Sequence, residues 1–253
     1  LQASLVPLTM LTMLSLVQER LSRETFLVNF LLEQERAKSD TLLHNILPTV
    51  IVHRLKESPA TIADRIPATT VLFADIVNFT PLAAQLSAEQ IVALLNEVFS
   101  AFDTLAQKYG LEKIKTIGDA YMAVAGAPEP RANHAQDAAK MALEMRGVIA
   151  GFSRANGESL QLRIGLNSGP VVAGVIGINK FTYDLWGDTV NTASRMESQG
   201  TAGQIQVTEV TQALLGADFT FEEPQETLIK GKGKMLVYTL IGLSDSRTDV
   251  SKF

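Results

Sequence analysis

Apolar residues recur at helical spacing along the first part of the chain. Met10, Leu14, Val17, Leu21, Val28, Leu31 and Leu42 fall on one three-four pattern, interrupted by Glu24, Glu35 and Lys38. The pattern predicts a long helix with a flawed heptad. Such a helix suits either a parallel two-helix stalk or an amphipathic helix packed on its own domain. Pro48 is expected to stop it. Residues 1–17 carry no charge. As a helix such a run extends about 25 Å, just short of a bilayer core. It reads equally as the inner end of a membrane-crossing helix or as an apolar dimer helix. A secretory leader is not expected, because the run has no basic start and no small-residue cleavage site.

A stretch rich in Pro and Ala, residues 58–67, then breaks the pattern and marks a domain boundary. Beyond it strands and helices alternate. The spacing predicts a strand over 70–76 and a helix over 87–109, capped by Ser87 and closed by Gly110. A hairpin over 112–126 follows, then a helix over 134–155 ending near Asn156 and Gly157. Strands are predicted at 160–167, 181–186 and 204–208, a helix at 189–199, and a closing hairpin from 226–229 and 235–241. The order β-α-β-β-α-β predicts an α/β (α+β) fold with a ferredoxin-like core, an antiparallel sheet with helices on one face. The expected division is an arm over 1–48, a linker over 49–65, a main domain over 66–243 and a tail over 244–253.

Composition narrows the function. The 253 residues carry a net charge of −5 and contain no cysteine. No basic run with interleaved aromatics supports nucleic-acid binding. Absence of cysteine excludes a disulfide framework, thiolate metal sites and a cysteine nucleophile, and it fits a reducing compartment. A first residue other than Met reads as a fragment or a processed chain.

Candidate chemistry centres on residues 113–122, KIKTIGDAYM. The hairpin tip presents Asp119 beside Gly118, so backbone and ligand can approach closely while the carboxylate offers a hard oxygen donor. A second acid, Asp75, ends the apolar run 70–74. Two carboxylates at the ends of two buried strands can bracket a pair of metal ions, an arrangement that moves phosphoryl groups. Each acid singly also fits plain turn chemistry. Residues 166–177, LNSGPVVAGVIG, are dense in glycine but form neither a Walker A loop nor a dinucleotide fingerprint, and read as a structural loop. Within 183–196, YDLWGDTVNTASRM, Asn191 and Arg195 lie four apart on a predicted helix. An amide and a guanidinium side by side suit an anionic transition state, or are simply a solvated surface. Lys230, in the closing KGKG, can reach phosphates or merely aid solubility.

Taken together, FADIVNFT (73–80), KIKTIGDAYM, LNSGPVVAGVIG, YDLWGDTVNTASRM and KGKG resemble, in order and spacing, the signatures of class III nucleotidyl cyclases. The resemblance spans about residues 66–243, and HNILP (44–48) resembles the helical transducer ahead of many such catalytic domains. It implies a head-to-tail homodimer with two active sites at the subunit interface. Asp75 and Asp119 match the metal-binding acids and the Ile76 carbonyl a main-chain ligand, for two Mg²⁺ or Mn²⁺ ions per site. Lys115 and Asp184 match the purine-reading pair, Asn191 and Arg195 the residues that orient the ribose and stabilise the transition state, and Lys230 the triphosphate lysine. Lys115 can donate to adenine N1 and Asp184 accept from the exocyclic amine, whereas guanine presents the opposite polarity. Guanylyl members typically carry Glu at the position of Lys115, so the implied activity is adenylyl cyclase, with ATP as substrate. A guanylyl cyclase and a catalytically silent nucleotide-binding dimer module are the alternatives. The Gly-Gly-Asp/Glu-Glu-Phe signature of diguanylate cyclases is absent. Asn78 departs from the family, which usually has Gly there, although Asn tolerates left-handed backbone. The resemblance further implies a cytoplasmic catalytic domain, with a membrane or sensor segment at or before residues 1–17.

Overall fold

A computed structural model describes residues 5–44, 46–57, 61–153, 157, 159–177 and 180–244, with backbone alone for 5–9, 11 and 12. The chain divides into two compact units, Leu1–Glu57 and Ser58–Phe253.

The first unit contains α1, Leu5–His44, and α2, Thr49–Glu57. At 1.5 Å per residue α1 is about 60 Å long. Its apolar stripe is uncovered in a single chain: Leu14, Leu21, Val28 and Leu42 are 63%, 57%, 63% and 64% exposed. Ion pairs Arg20–Glu24, Arg23–Glu19 and Lys38–Glu35 join successive turns. Each adds only a few tenths of a kcal/mol. The expected linker over 49–65 is largely ordered instead. Pro48 separates two helices, because a proline just ahead of a helix gives up only an N–H that would be unpaired anyway. Its carbonyl accepts from the N–H groups of Ile51 and Val52. Among the described residues no helix is long and apolar enough to cross a membrane.

The second unit begins with β1, Ala63–Ile76, so the stretch expected as the end of the linker is strand. Then come α3 (Phe79–Ala83), α4 (Ala88–Tyr109), β2 (Glu112–Ile117), β3 (Ala120–Ala125), α5 (His134–Ile149), β4 (Leu162–Ile176), β5 (Thr182–Trp186) and α6 (Asp188–Ser198). The chain closes with β6 (Ile205–Thr208), α7 (Glu209–Leu215), β7 (Phe219–Phe221), β8 (Gln225–Ile229) and β9 (Gly233–Leu243). Strand order is β2-β3-β1-β4-β6-β9-β7, with β5 beside β4 and β8 beside β9. Its first four strands give the ferredoxin-like order, and all three of their pairings are antiparallel.

Three predicted elements change. Residues 166–176 of the stretch expected as a loop run as strand within β4, paired to β1 on one side and β5 on the other. The glycines there admit close neighbours, so they mark a crowded ribbon and not an irregular connection. Pro67 sits inside β1 where the β1–β4 register shifts between Ile66 and Thr69, and a bulge is where a strand tolerates proline. Helix α5 ends at Ile149, earlier than expected, because the N–H groups of Gly151 and Phe152 bond back to the carbonyls of Val148 and Ile149 and tighten the last turn. Residues 154–156 of that expectation lie outside the described residues. Helix α7 and β7 had no sequence expectation.

The core forms where alternate strand residues meet helices. Leu72, Ala74, Ile76, Leu162, Ile164 and Leu166 face the same cluster as Phe102 of α4 and Met141 and Met145 of α5. The in-between residues face α6, so the sheet carries helices on both faces and not on one. Gly165 makes that second contact possible. A Cβ there would lie 2.1 Å from the Glu197 amide nitrogen and 2.6 Å from the Ala193 carbonyl oxygen. The base of α6 is pinned by hydrogen bonds from Thr189 Oγ1 to the Pro170 carbonyl (2.6 Å) and from Asn167 Nδ2 to the Thr189 carbonyl (3.0 Å).

Candidate active site

The capping box at Ser87 and Gln90 starts α4, and Gly110 in left-handed conformation ends it. That helix delivers the chain into β2 and the hairpin predicted to hold the first acid. Ile117 pairs with Ala120, leaving Gly118 and Asp119 as a two-residue turn, with Gly118 at φ +63° as a primed hairpin turn requires. On the adjoining strand Asp75 lies opposite Ala120, the residue after Asp119. The negative charge of Asp119 is close enough to raise the Asp75 carboxyl. Asp75, at the end of β1, points to the α6 face.

Two residues absent from the sequence expectations complete this group. Arg163, directly opposite Asp75 on β4, donates from Nη2 to Asp75 Oδ2 at 2.8 Å and from Nε to Glu197 Oε1 at 3.1 Å. Glu197 is buried on α6. Burial, and next the like charge of Asp119, push the Asp75 carboxyl above its ordinary range, with Arg163 opposing them. Burial, and next the charge of Asp75, do the same to Glu197. Their signal in the sequence was a charged residue inside an apolar alternation (LRIGL) and an acid following the buried Ala193 and Met196 of a helix.

Chemically, three carboxylates face one guanidinium here, an imbalance that a divalent cation would relieve. Asp75 and Asp119, with the Ile76 carbonyl that the family resemblance adds, are the oxygens that would hold one, and hard oxygen donors suit Mg²⁺ or Mn²⁺. Among the described residues no group of three or more His, Cys, Asp or Glu converges as a ready-made metal cage. Remaining ligands would come from phosphate oxygens and water, as is usual for Mg²⁺.

The second group is Lys115 and Asp184. Lys115 Nζ donates to Asp184 Oδ2 at 2.5 Å, and Asp184 Oδ1 accepts from the Leu185 amide at 2.8 Å. A register shift between Lys113 and Lys115 decides where Lys115 points. Lys113 lies on the α4 side, bound to Asp103 at 2.7 Å. Without the bulge, Lys115 two residues on would share that side. The extra residue turns it to the other face, toward β5.

The third group lies on α6 and the loop before β9. Asn191, Ser194, Arg195, Ser198, Gln199 and Lys230 line one surface depression. Gly231 brings the loop beside Arg195, its Cβ position lying 3.7 Å from the guanidinium nitrogens. Neighbouring Lys232 pairs with Asp188 in the first turn of α6. Neither Asp75 nor Asp119 lines this depression.

Residues 62–242 match the family model described as the adenylate and guanylate cyclase catalytic domain. An adenylate cyclase of Mycobacterium bovis is 46% identical over 221 residues, covering 87% of this chain and 50% of that protein. Guanylate cyclase soluble subunit beta-2 of Rattus norvegicus is 42% identical over 209 residues, covering 82% of this chain and 31% of that protein. Among solved structures, the catalytic core of a rhodopsin-guanylyl cyclase with converted specificity, in complex with ATPαS, superimposes with a TM-score of 0.69 at 44% identity, covering 72% of this chain and all of that one. The chain thus spans about half the length, or less, of these curated relatives. By its sequence, its ferredoxin-like core and the match over most of its length, the chain belongs to the class III adenylate and guanylate cyclase catalytic-domain family.

Proposed function

We propose that this chain is an adenylyl cyclase, converting ATP to 3′,5′-cyclic AMP and pyrophosphate. The observation that carries the choice of ATP is the Lys115–Asp184 pair. A donor and an acceptor held side by side match adenine N1 and its exocyclic amine, and guanine would leave both mispaired. The ribose 3′-hydroxyl gives up its proton to solvent water as its oxygen attacks the α-phosphorus, the bond from the α-phosphorus to the oxygen bridging to the β-phosphorus breaks, and pyrophosphate leaves with that oxygen. Asn191 orients the ribose. Arg195 and Lys230 offset the negative charge that develops on the phosphates. Two Mg²⁺ or Mn²⁺ ions, held by Asp75, Asp119 and the Ile76 carbonyl, supply Lewis-acid stabilisation of the triphosphate when bound.

The acid group and the Asn191–Arg195–Lys230 group line different parts of one chain, so each site is completed by a second copy, and the enzyme is a homodimer. The uncovered stripe of α1 supports the same reading, as a paired arm that relays a signal from an upstream membrane or sensor segment. ATP as substrate puts the catalytic unit in the cytoplasm.

Product formation from ATP and GTP, measured across protein concentrations, tests substrate and dimer together. ATP preference with a specific activity that rises with concentration is expected. Equal use of GTP would favour a guanylyl cyclase, a reading supported by the guanylate cyclases among its relatives. Tight nucleotide binding without product would favour a silent module. Deleting residues 1–45 is expected to weaken dimerisation and lower activity; unchanged values would remove the arm from the proposal.

A further inference from the structure

Resting on the cation reading of Asp75 and Asp119, we infer that Arg163 is a displaceable counter-ion for that site, and that Glu197 is the positioning residue that retains it. The guanidinium uses two separate edges, Nη2 toward Asp75 and Nε toward Glu197. It therefore bridges the two acids and belongs to neither alone. Its Cα is fixed opposite that of Asp75 by the β1–β4 register, so the side chain has a short range of motion. Glu197 is fixed in turn by the close seating of α6 over Gly165.

A cation approaching Asp75 meets a lone pair already engaged. Binding requires Arg163 to surrender its Nη2 contact. Because Glu197 holds the Nε edge, the guanidinium swings without leaving, and neither charge is stranded in a half-buried setting. Glu197 also stands on the helix that carries Asn191 and Arg195, so the exchange of counter-ions at Asp75 is felt by α6 within the same chain.

The test is Mn²⁺ binding to the intact, nucleotide-free 253-residue chain, followed by water-proton relaxation and by thermal shift. Arg163→Met removes the competitor, and Mn²⁺ affinity should rise about tenfold, a fraction of the full attraction of one close charge pair near a protein surface because the guanidinium is displaced and not expelled. A merely structural arginine would give the opposite sign. Should Arg163→Met fail to fold, Arg163→Lys serves: its single ammonium cannot bridge both acids, and a rise of about threefold is expected. Glu197→Gln lets Arg163 settle wholly on Asp75 and should weaken Mn²⁺ binding about threefold to tenfold, with Glu197→Asp restoring part of it. Unchanged or weaker binding in the folded Arg163 variant overturns the inference. The cation reading beneath it fails separately, if wild-type protein shows no Mn²⁺ response or if Asp75→Asn leaves the response intact.

Discussion

The acid group and the Lys115–Asp184 pair are built on opposite electrostatic plans. Around Asp75 two carboxylates share one guanidinium with a third acid, Asp119, nearby, and burial with like charge pushes Asp75 and Glu197 above their ordinary range. At Lys115–Asp184 one cation meets one anion at 2.5 Å, with the second carboxylate oxygen satisfied by a backbone amide. The first region is in deficit of positive charge and calls for something from outside. The second is at rest, and on the proposed reading a base would have to break its bond to enter, which would make it selective about what replaces that bond.

Substitutions separate the two plans. The largest effect is expected from Asp75→Asn or Asp119→Asn, each lowering turnover by at least about a hundredfold, since charge stabilisation in phosphoryl transfer is worth several kcal/mol. The same Asp119→Asn change removes a like charge from Asp75, so the ligand-free protein should melt slightly higher while losing activity. A lower melting temperature would break the deficit picture. Next in size, Lys115→Glu should leave cation binding intact and cut the ATP-to-GTP rate ratio by about tenfold or more, the scale of a mispaired buried polar contact. An unchanged ratio would remove the pair from substrate choice.

Glu112, on the same strand as Lys115, isolates the part played by burial. Burial alone pushes its carboxyl from 4.5 to about 7. The folded state therefore disfavours its ionised form. Stability is whole below pH 4.5 and falls as pH rises toward about 7. Glu112→Gln should raise stability above pH 7 by on the order of 2 kcal/mol and change little near pH 4.5, read from melting curves at both values. Smallest is Asn78, three residues beyond Asp75, at φ 56° and ψ 36°. Asn78→Ala should cost about 1 kcal/mol in chemical unfolding and Asn78→Gly only a few tenths, because the position demands left-handed backbone.

Much of this was legible in the chain. Local signals located α4 to within a residue of its cap, the Gly118–Asp119 hairpin, and the spacing of Asn191 and Arg195 on α6. The β-α-β-β-α-β order gave the core. What failed was punctuation read without partners: Pro67 and the glycines of 166–177 look like loop until β1, β4 and β5 are seen to pair through them. Nor was the bulge that turns Lys115 legible, because a one-residue register shift leaves no mark on alternation. Arg163 and Glu197 escaped for a related cause. Their roles come from lying opposite Asp75 and over Gly165, which are facts of pairing and packing, not of spacing.

Gly165 has a last consequence. Helix α6 and the sheet meet along a seam too thin for a single methyl group. The reach of Asn191, Arg195 and Glu197 is therefore dictated by backbone thickness, and no choice of side chain on the outer face can adjust it. Drift elsewhere on α6 changes what the helix displays; drift at residue 165 changes where the whole display stands.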